Sequence, residues 1–509
     1  MATHLRVRRA LELVRAPRSS DPSQGRTLRP NDEALVARQR TERWDYWKKI
    51  FDQYQITHVL LRLSTTGRAA QEVLAFTDLL NADPPAWELT DLGAGCAVLY
   101  RSDLDNSELR KFLDDRKLDF RNLAFQRSAP FLSARDRWVR KPSFYQQYFW
   151  SKRRDIAPSI QQALQYARLA TLPGQSEGNS LWALPDKYAD SRAALAILAI
   201  RKAQEGLQDD PDSHWGYMVL GEAYGVLAKW EATLAQNPTR TQTSGLRYFQ
   251  SMSSYNQVLV SSPDDAPAHQ QLAALYSQAN RSDLELRHQR QLLRLFEAEP
   301  EIDTELLLSV ESRIRELEKR VEKAEEADQQ FQQQQRPAYD RAMELAQQGF
   351  VLQAIGILDK EAEARTGNLS AEQLRIILQI EAGQAEEAHE NAERFAAPAQ
   401  EAGLQSWEDP VAFANLPNAD YPRAQTLWSQ KIEQANKGAI TGLLYGLVPR
   451  PKGLAGWPLA ATSSAATYSF TRPETICETR INLALIYLEE GNLASAQDRK
   501  STRLNSSHL

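Results

Sequence analysis

The sequence predicts a mainly α-helical chain. Paired helices stack into a solenoid behind a small N-terminal α/β unit, with a short coiled-coil-like helix between two blocks of pairs. Three observations predict this. Gly349 and Ala354 are followed 34 residues later by Gly383 and Ala388. Pro211, Leu220, Gly221 and Tyr224 recur as Pro263, Leu272, Ala273 and Tyr276, a constant offset of 52. Between these blocks Leu307, Val310, Ile314, Leu317, Val321, Ala324 and Phe331 fall at heptad steps. Self-similarity at a fixed period marks stacked supersecondary units. Apolar residues at alternating steps of three and four mark one face of a long helix.

The totals agree with such an array. A chain of 509 residues is too long for one core. Its 42% hydrophobic and 25% charged residues are ordinary for a folded protein. With 61 basic and 66 acidic side chains the net charge is −5, too balanced to point to nucleic acid. The two cysteines, Cys96 and Cys477, form no C-x-x-C pair and read as buried thiols, with pairing to each other as the alternative. No run reaches the roughly 18 to 20 apolar residues that cross a bilayer.

Residues 1–43 carry Arg6, Arg8, Arg9, Arg15, Arg18, Arg26 and Arg29 with Pro17, Pro22 and Pro30, and no apolar core of a signal peptide. They read as a loosely ordered basic arm or the remnant of a longer upstream chain. Residues 44–104 read as the α/β unit. Trp44 to Tyr54 is an amphipathic helix, Ile56 to Leu63 a strand, and Arg68 to Leu80 a second helix. Trp87 to Leu92 and Cys96 to Arg101 form a hairpin through Gly93-Ala94-Gly95. The Gly93-x-Gly95 pair lacks a third glycine and leads into a strand, so it reads as a turn and not a dinucleotide loop.

Residues 105–185 read as a helical connector. Within it, residues 138–154 interleave six aromatics with five basic side chains. Such a patch suits packing on the first repeat, a membrane interface, stacking with nucleic acid, or a protein partner; packing is the reading preferred.

The first helical block spans 186–300, the heptad helix 301–334 and the second block 335–397. The extra residues in the 52 offset fit an insertion or lengthened helices around Trp230 to Arg247. The heptad stripe fits either a helix packed on the solenoid or a dimer seam. Residues 398–473, with Pro410, Pro417, Pro422, Pro449, Pro451 and Pro458, read as an irregular insertion holding one short buried helix at Ala439 to Val448. Residues 474–497 begin a last unit, with Leu483, Ala484, Tyr487, Gly491 and Ala496. In residues 498–509, Asp498 to His508 back-translate in frame to a sequencing-library adaptor. The chain is therefore expected to be a fragment whose native residues stop near Gln497.

Leu-(Gly/Ala)-x-x-Tyr at Leu220, Gly221 and Tyr224 and again at Leu272, Ala273 and Tyr276 resembles helix A of the tetratricopeptide (TPR) repeat. Gly349 and Ala354, Gly383 and Ala388, and Leu483, Ala484, Tyr487 and Gly491 are similar to the same family's turn and helix positions. The resemblance covers 186–300, 335–397 and 474–497, and implies a superhelix with a concave peptide-binding groove. In it the named residues are packing positions and not ligand contacts. The order of α/β unit and repeats also resembles the soluble tail of uncharacterised planctomycete-type multi-pass membrane proteins, some of them similar to membrane glycosyltransferases.

No G-x-S-x-G elbow, P-loop, kinase signature or H-E-x-x-H spacing is present, and the seven histidines are scattered. No catalytic, cofactor-binding or metal-ligating residue is therefore expected. The expectation is a non-enzymatic scaffold that takes a polypeptide partner in its groove, with no nucleic acid. Membrane contact would come through a parent protein or residues 138–154. The alternative is the accessory region of a membrane glycosyltransferase-like protein whose membrane part lies upstream.

Overall fold

The computed structural model describes residues 45–63, 69–81, 87–111 (less 94, 103–106 and 109), 118–125, 156–172, 184–234, 244–298, 304–364, 368–404, 407–416, 421–442 and 482–489. The basic arm, the aromatic patch at 138–154, Cys477, Gly491, Ala496 and the tail at 498–509 lie outside the described residues. The chain is mainly helical, with one three-stranded sheet. It divides into two compact units, 1–119 with 171–192, and 120–170 with 193–509.

In the first unit helix α1 (45–53) precedes β1 (His58–Arg62), and α2 (Ala69–Leu80) precedes β2 (Trp87–Leu92) and β3 (Cys96–Arg101). The sheet order is β1-β3-β2, antiparallel throughout. The β2–β3 turn needs Gly95, whose φ of +121° is open only to a residue without a side chain. Alternation puts Ala97 and Leu99 of β3 on the buried face beside Leu89 and Trp87 of β2. Helix α1 packs there: Trp47 stacks on Phe51 at 5.7 Å, and Phe51 meets Trp87 at 5.0 Å. Arg101 Nη1 donates to Asp52 Oδ1 at 2.8 Å.

The second unit opens with α3 (Phe120–Phe125) and α4 (Pro158–Thr171). Then come α5 (Arg192–Asp209), α6 (His214–Leu234), α7 (Ser244–Ser261), α8 (Ala266–Gln278) and α9 (Ser282–Glu297). The 52-residue offset is taken up partly by helix length, since α6 and α7 run 21 and 18 residues while α8 and α9 run 13 and 16. Asp265 caps α8 by accepting from Ala268 N at 2.7 Å, which satisfies one of the free donors of its first turn.

A long helix, α10 (Thr304–Gln333), carries the heptad stripe. Val310, Ile314 and Leu317 pack on Leu286 of α9 with Leu293 and Phe296. Arg313 locks the pair from the rim by donating to both oxygens of Glu285 at 2.7 and 2.8 Å. The stripe is thus covered by a helix of the same chain.

Helices α11 (Ala338–Gln348), α12 (Val351–Ala364), α13 (Leu369–Glu381) and α14 (Ala385–Glu401) follow. Gly349 and Gly383 end α11 and α13 at φ +94° and +76°. These left-handed caps let the next helix begin after a single further residue, Phe350 or Gln384. Ala342, Ala354, Ala388 and Ala392 are fully buried where helices meet.

Residues 398–442 depart from the irregular insertion expected of them. Helix α14 runs on through Pro398 to Glu401, and α15 (Glu408–Asn415) and α16 (Tyr421–Gly442) form another packed pair. Pro410 and Pro422 lie in the first turns of α15 and α16, where no intrahelical N–H is required, so they start helices instead of breaking them. The apolar stretch at Ala439 to Val448 enters the end of α16, and its remainder lies outside the described residues. A last short helix, α17 (482–489), closes the described chain.

Candidate functional site

Helix α7 is enclosed along most of its length, yet it carries polar residues there: Arg247, Gln250, Ser251 and Ser254 are all buried. A polar group removed from water must find a partner or cost stability. Ser251 Oγ donates to Gly221 O of α6 at 2.7 Å, where the missing side chain of Gly221 also admits the Tyr255 ring. Phe249 meets Phe413 of α15 edge-on at 5.5 Å. On the remaining side stands α17.

The grip on α17 is mainly polar. Glu489 is 2% exposed, and its carboxylate is ion-paired with Arg247. Tyr224 OH of α6 donates to Oε2 at 3.1 Å, and Gln250 Nε2 donates to Oε1 at 3.1 Å. Arg201 of α5 reaches two carbonyls of the same helix: its Nη2 donates to Leu488 O at 2.9 Å and its Nε to Glu489 O at 3.0 Å. Ile486 and Leu483, about one and two turns back on the same face, are fully buried.

A second seam repeats the motif. Tyr276 of α8 donates to Glu381 O at 2.9 Å at the end of α13, and Arg281 Nη2 donates to Glu381 Oε1 at 3.1 Å. Arg287 Nη2 donates to Ala382 O at 2.8 Å. Burial raises the Glu381 carboxyl above its ordinary value, with the Arg281 charge opposing. Asp283 caps α12 from outside that helix: its Oδ2 accepts from Leu352 N at 2.5 Å. Burial raises Asp283 too, against four backbone N–H groups that favour its anion.

Beside this seam lie two histidines that look unrelated in the sequence. His269 Nδ1 and His288 Nδ1 are 2.8 Å apart, and His269 Nε2 is 2.8 Å from Pro263 O. A carbonyl only accepts, so His269 carries its proton on Nε2 and its Nδ1 accepts from His288 Nδ1–H. His288 Nε2 is then left as the acceptor facing Arg287 at 3.4 Å. This chain of bonds needs both rings neutral. Burial, then the neighbouring charge of Arg287, lowers His288 to about 2. His288 in turn stacks on Tyr276 at 5.5 Å, which ties the pair to the seam.

The repeat positions expected to pack are placed as follows. Leu220, Leu272, Ala273, Ala354, Ala388 and Leu483 are buried, Ala484 and Tyr487 are half-buried, and Gly349 and Gly383 are left-handed caps. Tyr224 and Tyr276, read as packing residues only, also spend their hydroxyls on the Glu489 carboxylate of α17 and the Glu381 carbonyl of α13. Arg201, Arg247, Gln250 and Arg281 escaped sequence reasoning altogether. Their partners on α13 and α17 lie 100 to 288 residues away, and no local pattern announces them. Among the described residues no group of three or more His, Cys, Asp or Glu side chains could hold a metal ion, and no helix is long and apolar enough to cross a membrane. No protein-family model and no curated protein matches the chain.

Proposed function

We propose that the chain is a non-enzymatic scaffold of the TPR type that binds polypeptide partners in helical form. The observation that carries this reading is the seat of α17. Side chains from three successive helices, α5, α6 and α7, converge on α17, 239 to 288 residues away in the chain. That surface has the parts a helix receptor needs: an apolar floor, a cation pair for carbonyls and carboxylate, and two neutral donors that fix orientation. The left-handed caps at Gly349 and Gly383, 34 residues apart, and the small buried Ala354 and Ala388 support the family reading. The buried polar groups described form structural networks, which favours a scaffold over an enzyme.

The test is selection from a displayed library of random helical peptides on the immobilised full chain. Selected peptides are mapped by photo-crosslinking. Enrichment of peptides that crosslink to α5–α8 or α11–α14 supports the proposal. No enrichment over an unrelated helical protein overturns it.

A further inference from the structure

We propose that the chain forms a two-fold dimer through its first unit. The outer edge of β1 pairs antiparallel with β1 of a second copy and joins the two three-stranded sheets into one. The partner is another molecule of the same chain, and the inference stands apart from the scaffold reading.

Hydrogen-bond parity fixes which groups face outward. Arg101 N donates to Thr57 O at 3.1 Å and Leu63 N to Gly95 O at 2.7 Å. In the β1–β3 register the odd residues, Thr57 to Leu63, therefore spend their backbone groups on β3. The alternate residues of an antiparallel strand turn theirs the other way. His58, Leu60 and Arg62 each present one N–H and one C=O along the outer edge, and among the described residues nothing meets them.

The two edges of the sheet are treated differently. On β2 the register shifts between Leu89 and Asp91, a bulge of the kind that turns an edge away from pairing. Leu89 O accepts from Leu118 N at 3.2 Å, and the Leu89 N–H meets the Tyr188 hydroxyl. The β1 strand, His-Val-Leu-Leu-Arg, has no bulge, proline or lysine to guard it. Its middle residue, Leu60, is 66% exposed, and Val59 and Leu61 on the opposite face are only half-buried.

The order of residues along this edge selects a copy of itself. With Leu60 opposite Leu60, His58 falls opposite Arg62 at both ends, and all three outward residues of each strand give and take a bond. A slide by two residues leaves outward groups unpaired, and a slide by one sets them against groups already used. The symmetric register brings Leu60 onto Leu60 on one face and Val59 onto Leu61 on the other, and such cross-strand apolar pairs stabilise a sheet. It also keeps the two Arg62 charges apart, about 13 Å along the strands and beyond the screening length of physiological salt. Each Arg62 meets instead an imidazole, which accepts a hydrogen bond when neutral. The contact is isologous, and since β2 is covered, assembly through the sheet stops at two copies.

The experiment is sedimentation velocity of the full chain across a range of concentrations, where a reversible monomer–dimer equilibrium is expected. Leu60→Lys sets two ammonium groups against each other at the two-fold axis and should weaken the dimer at least about tenfold. Leu60→Pro removes an N–H that β3 does not use, so it weakens the dimer equally and covers the case where Leu60→Lys misfolds. Register is read by disulfide trapping in a Cys96→Ser, Cys477→Ser chain. Leu60→Cys should crosslink to itself, because the Cα atoms of a hydrogen-bonded pair stand about 5.5 Å apart. His58→Cys and Arg62→Cys chains should crosslink when mixed, and neither should alone.

A chain that sediments as a monomer at every concentration overturns the proposal. A dimer that both Leu60 variants leave intact overturns it too, because its contact lies elsewhere. Crosslinking of His58→Cys to itself, with none for Leu60→Cys, refutes the register and the pairing drawn from it.

Discussion

Replacing Gly349 by alanine tests how closely consecutive helix pairs approach. Gly349 closes α11 at φ +94°, and a Cβ there would overlap the backbone oxygen of Asn280 in the α8–α9 turn. Two costs add. A left-handed backbone costs a residue with a side chain ~1–2 kcal/mol. Forcing backbone apart in a packed region costs a further ~1–3 kcal/mol, for a total of about 2–5 kcal/mol. Gly403 is the control, because its φ is +65° but nothing lies within 4 Å of an added Cβ. Gly403→Ala should therefore cost only the backbone term, ~1–2 kcal/mol. Gly383→Ala falls between the two, since its Cβ would meet the end of the Asn256 side chain at 2.5 Å, and that end can move. Gly356, inside α12 with open space around it, should gain ~0.5–1 kcal/mol as alanine. A chain of two units need not unfold in one step. The assay is therefore native-state hydrogen exchange, read as the opening free energy of the helices flanking each glycine. If Gly349→Ala and Gly403→Ala cost the same within ~0.5 kcal/mol, the close approach of the α8–α9 and α11–α12 turns is not present in solution.

Glu489→Ala leaves Arg247 buried without its carboxylate and should cost ~3–5 kcal/mol, seen as lost exchange protection in α17, whereas the double change Arg247→Met with Glu489→Leu should cost less than the two singles summed. Unaltered protection in the single variant would contradict the buried pair. His288 gives a pH signature. Its folded value, about 2, lies below its ordinary 6.5, so the stability it lends is present above that ordinary value and lost as the pH falls below it, by about 1.4 kcal/mol per pH unit. Burial raises Glu381 and Asp283; the folded chain holds their protons more tightly, and they gain stability over part of the same descent. The His288→Phe chain keeps those two carboxylates, so the stability gap between wild type and variant should narrow by about 2 kcal/mol from pH 7 to pH 5. A gap that does not change with pH would refute the neutral relay. Leu317→Ala should cost ~2–5 kcal/mol in thermal melts of the second unit, because that side chain is fully buried against α9. The exposed Leu308 should cost under ~0.5 kcal/mol when made alanine, and equal effects would mean the stripe of α10 is not packed.

Sequence alone carried the features that act over a few residues. Gly349 and Gly383 announce turns because only glycine takes that backbone easily. The strands Trp87 to Leu92 and Cys96 to Arg101 are legible because one face of each is buried and the pattern alternates. The stripe from Val310 to Leu317 is legible as a helix face, but periodicity cannot name what covers it; Leu286 of α9 does. Residues 408–442 were misread because Pro410 and Pro422 break a helix interior and begin a helix equally well, and only the position of the first turn separates the cases. The grip on Glu489 was illegible for another reason. Arg201, Arg247 and Gln250 sit on helices whose charged and amide residues look like a solvated face, and their burial depends on a segment more than 200 residues further along.

That separation bears on how the chain is made. A ribosome delivers α5, α6 and α7 long before α17, so Arg247 must wait in water while some 240 residues are added at about 5–20 residues per second. The interval lasts on the order of ten seconds or more, far longer than the microseconds in which helices form and the milliseconds in which helical arrays pack. Throughout it the nascent chain presents an open cationic slot to anything acidic and helical nearby. The helix that arrives so much later closes a slot already shaped.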